Sequence, residues 1–277
     1  MLQTCLSYSE KGSAPANEDA VGGCDGTYWI IDGATSVFEP THYFGTDSDV
    51  VWLVQHLSAA LTACVASKQS LAESLAQALS LVRADAAGLF KKTATVEPFR
   101  LPSFTIVMVR EHGHVLDYYL LGDCGLFVSG GKRPMFLTDE RLKQMTDASH
   151  RAAATIAADS LGDKRERLYD VLRGHRRLMN TPEGYWIGSL DGTGVPYGLT
   201  GTAPLGTASR VLICCDGFLR LFDLFQQHDW RARLFDRAPL VAAVSRLRTL
   251  ESEDRDCRRF PRNKVSDDVT VQLLTVR

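Results

Sequence analysis

The chain has 277 residues, of which 45% are hydrophobic and 23% are charged, and its formal net charge is −2. This composition is typical of a soluble globular protein and excludes a disordered chain. The near balance of acidic and basic residues gives no electrostatic reason to expect nucleic acid or an anionic membrane as a partner.

No segment has the apolar run of about 20 residues that a membrane-spanning helix needs, and residues 1–12 lack the pattern of a secretion signal. We therefore expect a cytoplasmic protein. Seven cysteines without C-x-x-C spacing predict neither a disulfide framework nor a zinc site, and most of them should be small buried thiols. Basic clusters at residues 164–177 and 255–262 are interleaved with acidic or apolar residues, which favours solvated surfaces.

The first third of the chain is typical of two strands followed by two helices. Strands are predicted at residues 2–9 and 19–31, the second interrupted by an Asp-Gly hairpin turn at 25–26. Apolar residues recur at helical spacing over 47–68 and 70–91 and predict a pair of amphipathic helices.

Short strands separated by glycine-containing turns fill the middle of the chain and predict an antiparallel meander at residues 103–110, 115–121, 125–129 and 133–137. The remaining predicted elements are helices at 139–157 and 163–179, a Gly- and Pro-rich segment at 180–206, a strand at 210–215, helices at 218–225 and 239–250, and a strand at 269–276. Strands and helices are segregated, which predicts the α+β class, and we expect one domain over residues 1–277.

Aspartates follow two predicted buried strands. Asp32 comes after residues 28–31 and Asp216 after 211–215, and a glycine follows each aspartate. At a strand end the backbone is rigid, and the glycine lets another group approach the carboxylate closely. More acids open the second and the last strand, in the segments Asn17-Glu18-Asp19 and Ser266-Asp267-Asp268.

Each of these acids alone is better explained by a structural or solvated role, but together they favour a metal site. Adjacent acids repel one another unless a cation lies between them, and hard cations such as Mg²⁺ or Mn²⁺ prefer oxygen ligands. His112 and His114 flank a glycine in a predicted turn and are interpreted as exposed residues.

The ordered motifs resemble those of the type-2C metal-dependent serine/threonine protein phosphatases, the PPM family. The matching segments are Asn17-Glu18-Asp19-Ala20, Ile30-Ile31-Asp32-Gly33-Ala34-Thr35, Ser103-Phe104-Thr105, Leu121-Gly122-Asp123, Cys215-Asp216-Gly217-Phe218 and Ser266-Asp267-Asp268-Val269-Thr270-Val271. The resemblance implies a four-layer αββα sandwich, in which helix pairs flank two antiparallel β-sheets. It also implies hydrolysis of phosphoserine and phosphothreonine in a phosphorylated protein substrate.

By this resemblance two Mg²⁺ or Mn²⁺ ions activate a water that attacks phosphorus directly, without a phosphoenzyme. Asp32 would bridge the ions, Glu18 and the backbone carbonyl of Gly33 would bind one of them, and Asp216 and Asp267 would bind the other.

Two more aspartates have implied roles. Asp19 would hold a metal-bound water, and Asp123 would help to bind a third, weaker ion. Gly122-Asp123 also suits a hairpin turn.

The chain departs from the family pattern at the position of a phosphate-binding arginine, which is Ala14 here. The third strand motif lacks its usual glycine and reads Pro102-Ser103-Phe104-Thr105, and Asp267-Asp268 replaces a usual Asp-Asn pair. Residues 139–206, where the substrate-facing flap would lie, are divergent. Lys11 is therefore the candidate ligand for the substrate phosphate, with a solvated loop lysine as the alternative.

Two other functions stay open. Ala14 and the unusual flap suit a phosphatase for a small phosphorylated metabolite. A catalytically silent module that binds phosphoproteins is the third reading, although such a module has no need for four repelling acids at Glu18, Asp32, Asp216 and Asp267.

Overall fold

A computed structural model describes residues 2–39, 42–65, 69–89, 96–130, 134–156 and 161–276. The strands within these ranges are β1 (Leu2–Glu10), β2 (Asp19–Cys24), β3 (Thr27–Ala34), β4 (Ser103–His112), β5 (Val115–Leu121), β6 (Gly125–Val128), β7 (Met135–Leu137), β8 (Gly188–Ser189), β9 (Leu199–Pro204), β10 (Arg210–Cys214) and β11 (Val269–Val276). The α-helices in the same ranges are α1 (Asp49–Cys64), α2 (Leu71–Ala87), α3 (Glu140–Thr155), α4 (Leu161–Arg177), α5 (Asp216–Asp223) and α6 (Arg237–Glu253).

The strands form two antiparallel sheets. The first has the order β2-β3-β4-β5-β9, with β8 beside β4, and the second has the order β1-β11-β10-β6-β7. Strand β4 shows how the layers stack, because its side chains alternate between two cores. Val107 and Val109 face the second sheet, whereas Ile106 and Met108 pack with α1 and α2. Helices α5 and α6 cover the other side of the second sheet, which confirms the αββα sandwich.

Local sequence signals account for several element boundaries. Asp25 and Gly26 have φ angles of 48° and 73°, the left-handed conformations of the tight turn predicted between β2 and β3. Ser70 and Glu73 form a capping box at the start of α2, where each side chain bonds the other residue's backbone N–H.

The predicted meander is wrong between β5 and β6. Strand β5 lies in the first sheet and β6 in the second, so residues 122–124 carry the chain from one sheet to the other. Gly122 has a φ of 85°, and a Cβ there would lie 2.4 Å from Thr105 Cγ2. The hairpin interpretation of Asp123 is therefore wrong, because no hairpin forms at this point.

The predicted solvation of the basic clusters is wrong for two arginines. Arg176 is only 9% exposed, and Arg262 is 5% exposed and forms an ion pair with Asp254 at 2.6 Å. The cysteine prediction is better, since Cys64, Cys124, Cys214 and Cys215 are buried free thiols. None of the helices in the described ranges combines the length and the apolar character needed to span a membrane.

Candidate active site

Three aspartates from both sheets meet at one end of the sandwich. The β2–β3 hairpin places Asp19 directly across the ladder from Asp32. Asp216 follows β10 as the first residue of α5, and its backbone N–H donates a hydrogen bond to Asp32 Oδ2 at 3.3 Å. Thus Asp32 connects an acid of its own sheet to an acid of the second sheet.

The clustering of these carboxylates perturbs their ionisation. Burial, reinforced by the neighbouring negative charges, raises the pKa of Asp19 to about 8 and also raises the pKa values of Asp32 and Asp216. Asp19 Oδ2 is buried without a hydrogen-bond donor among the described residues. A buried carboxylate oxygen in this condition is costly unless it is protonated or a cation approaches it.

Glu18 and Gly33 lie beside this cluster. The N–H of Gly33 donates to the carbonyl of Glu18 at 3.0 Å, and a Cβ on Gly33 would come within 2.5 Å of that carbonyl oxygen. The carboxylate of Glu18 accepts hydrogen bonds from the hydroxyls of Thr35 and Ser48. Burial raises the pKa of Glu18. The glycine thus permits the close backbone contact that fixes Glu18 next to Asp32.

Asp267 reaches the same cleft with positive partners of its own. It forms ion pairs with Arg220 and with Lys264, whose Nζ lies 2.8 Å from Asp267 Oδ1. Burial alone would raise the pKa of Asp267, but the two cations outweigh it and hold the pKa below its ordinary value. Four acids were predicted as metal ligands: Glu18, Asp32, Asp216 and Asp267. Among these, in the described site, only Asp267 has a charge that ion pairs already balance.

Asp123 lies next to Asp216, as the predicted third site requires. Burial, followed by the charge of Asp216, raises the pKa of Asp123 to about 8. The Thr146 hydroxyl donates to Asp123 Oδ2 at 3.3 Å. Asp32, Asp123, Asp216 and Asp267 line one cleft with a volume of about 180 Å³.

Lys11 lies on the surface of the amino-terminal loop. Its ammonium donates to the carbonyls of Ala14 and Pro15 at 3.5 and 3.3 Å. These contacts keep the charge on the loop's own backbone, and the geometry does not favour Lys11 as a phosphate ligand.

Three residues at or beside the cleft escaped the sequence reasoning: Arg176, Arg220 and Lys264. Spacing carried a signal for two of them, since Arg220 lies one helical turn after Asp216 and Lys264 lies three residues before Asp267. Arg176 was hidden in a cluster interpreted as solvated. Asp268 has a structural role, because its carboxylate accepts the backbone N–H groups of Gly12 and Glu18, both at 2.7 Å.

The donor set fits a hard divalent cation in type and charge. The acids supply only oxygen ligands. The buried Oδ2 of Asp19 has no hydrogen-bond donor among the described residues, so a cation next to it would be stabilised. In the described part of the chain, however, His, Cys, Asp and Glu side chains do not converge in groups of three or more into a ready-made cage. Carboxylate rotation would therefore accompany metal binding.

No protein-family model matches the sequence, and no curated protein sequence matches it. Solved structures do match. The serine/threonine phosphatase PstP/Ppp of Mycobacterium tuberculosis is 16% identical, with a TM-score of 0.58 over 100% of this chain and 99% of that one. The catalytic domain of PstP, solved in complex with two manganese ions, matches equally well.

Two further bacterial structures match over the same extent. PppA of Pseudomonas aeruginosa, a regulatory component of T6SS, is 14% identical with a TM-score of 0.57, covering 100% of this chain and 98% of that one. Stp1, a serine/threonine phosphatase of Staphylococcus aureus, is 13% identical with a TM-score of 0.56, covering 100% and 96%. At these identities the likeness establishes architecture, and the chain has the fold of the PPM serine/threonine phosphatases.

Proposed function

We propose that this chain is a metal-dependent phosphatase that hydrolyses phosphoserine and phosphothreonine monoesters in proteins. The proposal rests on the convergence of Asp19, Asp32 and Asp216 from two sheets and on the buried Oδ2 of Asp19, which has no hydrogen-bond donor among the described residues. A silent binding module would have no use for such a costly arrangement. The phosphatase fold of the chain and the activity of the similar proteins support the same function.

The acids have distinct roles in this proposal. Asp32 would bind two Mg²⁺ or Mn²⁺ ions, one shared with Glu18 and the carbonyl of Gly33, the other with Asp216 and Asp267. The manganese-bound PstP structure supports the choice of ion and the number. When bound, such ions lower the pKa of a coordinated water and offset the negative charge of the phosphate.

The remaining side chains would orient the reactants. Asp19 lies beside Asp32 and would accept a hydrogen bond from the attacking water, which orients that water toward phosphorus. Asp123 would support a third, weaker ion next to Asp216. Since Arg220 and Lys264 already balance the charge of Asp267, we expect the ion held by Asp216 and Asp267 to bind more weakly than the ion held by Glu18 and Gly33.

Hydrolysis of p-nitrophenyl phosphate by the purified chain tests the metal requirement. Activity should need added Mn²⁺ or Mg²⁺ and should disappear in excess chelator. Full activity in chelator would contradict the proposal. A panel of phosphopeptides assayed beside small phosphate esters tests the substrate class, and turnover confined to the small esters would point to a metabolite phosphatase.

A further inference from the structure

A buried guanidinium lies at the wall of the acidic cleft. Arg176, near the end of α4, is 9% exposed. It lines the cleft that contains Asp32 and Asp216, and it also lines an adjoining cavity of about 250 Å³ that contains Ala14 and Glu18. Arg176 therefore stands between the two spaces, and a group bound in either of them would lie near its charge.

Neutral acceptors hold this guanidinium in place. Nε donates to the carbonyl of Phe99 at 3.3 Å, and Nη2 donates to Ser103 Oγ at 2.5 Å. The hydroxyl of Tyr185 is also within hydrogen-bonding reach. Burial lowers the pKa of Arg176, but an arginine stays protonated at neutral pH.

The charge partners of Arg176 differ from those of the other cations at the cleft. Asp267 forms ion pairs with both Arg220 and Lys264. Among the residues that the structure describes, no carboxylate forms an ion pair with Arg176. The carboxylate of Glu18 acts on Arg176 only at longer range. A buried charge without a close counter-ion is costly, so an incoming anion would be stabilised there.

We propose that Arg176 binds the phosphate group of the substrate, an inference that rests on the proposed function. A guanidinium can donate two parallel hydrogen bonds to phosphate oxygens, and its planar fork fixes their orientation. Ala14, across the same cavity, offers no charge. The remaining donors of Arg176 would bind phosphate oxygens, while Phe99 and Ser103 keep the side chain extended.

The test compares variants of two neighbouring arginines on α4. Arg176→Gln removes the charge but keeps an N–H donor for the Phe99 carbonyl. Arg177→Met is the matched control, because Arg177 is exposed and its guanidinium lies over the rings of Phe38 and Phe99.

Two readouts separate binding from turnover. Arg176→Gln should raise KM for p-nitrophenyl phosphate about tenfold or more and weaken calorimetric binding of inorganic phosphate equally, since hydrogen bonds to charged groups have this strength. Mn²⁺ affinity should stay unchanged. Arg177→Met should alter each value by less than about twofold, as is usual for an exposed charge.

A rescue variant distinguishes phosphate binding from structural support. Ala14 lines the same cavity, so Ala14→Arg in the Arg176→Gln background returns a guanidinium to that space and should restore part of the phosphate affinity. A structural tie between α4 and Ser103 would not be restored in this way. Unfolding midpoints of all variants show whether the fold is intact.

Phosphate binding by the parent and the variants decides the proposal whether or not the protein shows turnover. If folded Arg176→Gln binds phosphate as the parent does, or if the parent binds none, the proposal is overturned. If Arg176→Gln does not fold, Arg176→Lys decides, because lysine cannot form the paired bonds and phosphate affinity should fall about threefold or more. An unchanged affinity would refute the role. A parent that binds phosphate through Arg176 but hydrolyses nothing would refute only the phosphatase proposal.

Discussion

Replacing Asp32 with asparagine should stabilise the metal-free protein and remove its stabilisation by Mn²⁺. Asp32 lies across the ladder from Asp19, and its carboxyl is within hydrogen-bonding reach of Asp216. Asparagine has nearly the same shape, and its side-chain oxygen can still accept the N–H of Asp216. The change therefore removes one of three mutually repelling acidic groups without opening a cavity.

The size of the effect follows from electrostatics. Two unit charges about 4 Å apart repel by about 4 kcal/mol at an effective dielectric constant of about 20. Burial and the neighbouring acids raise the pKa of Asp32, which reduces the share of this repulsion that the substitution can relieve. We expect the free energy of unfolding in chelator to rise by about 1 to 3 kcal/mol. The unfolding midpoint should rise by about 2 to 4 °C for each kcal/mol.

Thermal unfolding in chelator and in excess Mn²⁺ measures both effects. An ion at about 100 times its dissociation constant should stabilise the parent by about 2.7 kcal/mol, whereas the variant lacks the shared ligand and should gain much less. Asp25→Asn is the matched control, because Asp25 is exposed in the turn at the other end of the same hairpin. If Asp32→Asn is less stable than the parent in chelator, or keeps the full Mn²⁺ shift, the reasoning is refuted.

Three further predictions concern single residues. Asp123→Ala should lower turnover without removing tight Mn²⁺ binding, and an unchanged dependence of kcat on Mn²⁺ concentration would contradict this. Lys11→Ala should alter KM by less than about twofold, because its charge is solvated on the loop; a several-fold rise would favour the sequence prediction instead. Asp254→Asn should reduce stability by about 1 to 3 kcal/mol at pH 7. Burial opposes the shift, but the N–H of Arg259 and the guanidinium of Arg262 hold the pKa of Asp254 below its ordinary value. This cost should therefore begin to decline below a pH of about 4 and be lost as the pH falls through the lowered pKa of Asp254. Urea unfolding of the parent and of Asp254→Asn at pH 7 and pH 3 tests whether the difference in stability becomes smaller at the lower pH.

Local periodicity was enough to predict most of the helices and strands. Helices α1 and α2 lie within the predicted ranges 47–68 and 70–91. The prediction works here because the apolar side chains that pack against the first sheet recur at helical spacing along the sequence. Strand β9 was missed. Its side chains are mostly exposed, so the alternation that indicates a strand is absent. The sheet to which each strand belongs depends on contacts that periodicity does not encode, hence the error between β5 and β6.

The acids of the candidate site were found by motif, and the structure brings Asp19, Asp32, Asp123, Asp216 and Asp267 to one end of the sandwich. The basic residues were not found. A sequence shows that arginine is present but not which one loses its solvent, and Arg176 lies one position from the exposed Arg177. Burial of a charge is decided by tertiary packing, so the proposed phosphate ligand could not be chosen from sequence alone.

The carboxylate of Asp268 has a consequence for the order of folding. It binds the N–H groups of Gly12 and Glu18, which precede it by 256 and 250 residues. During synthesis, the hydrogen bond from the N–H of Glu18 to Asp268 therefore cannot form until almost the whole described chain has been translated. Contacts of such high sequence separation form slowly, because a long loop must close before they contribute. A chain that ends before residue 268 would lack the carboxylate that holds the backbone of Glu18, and we expect it not to bind metal in the arrangement proposed above.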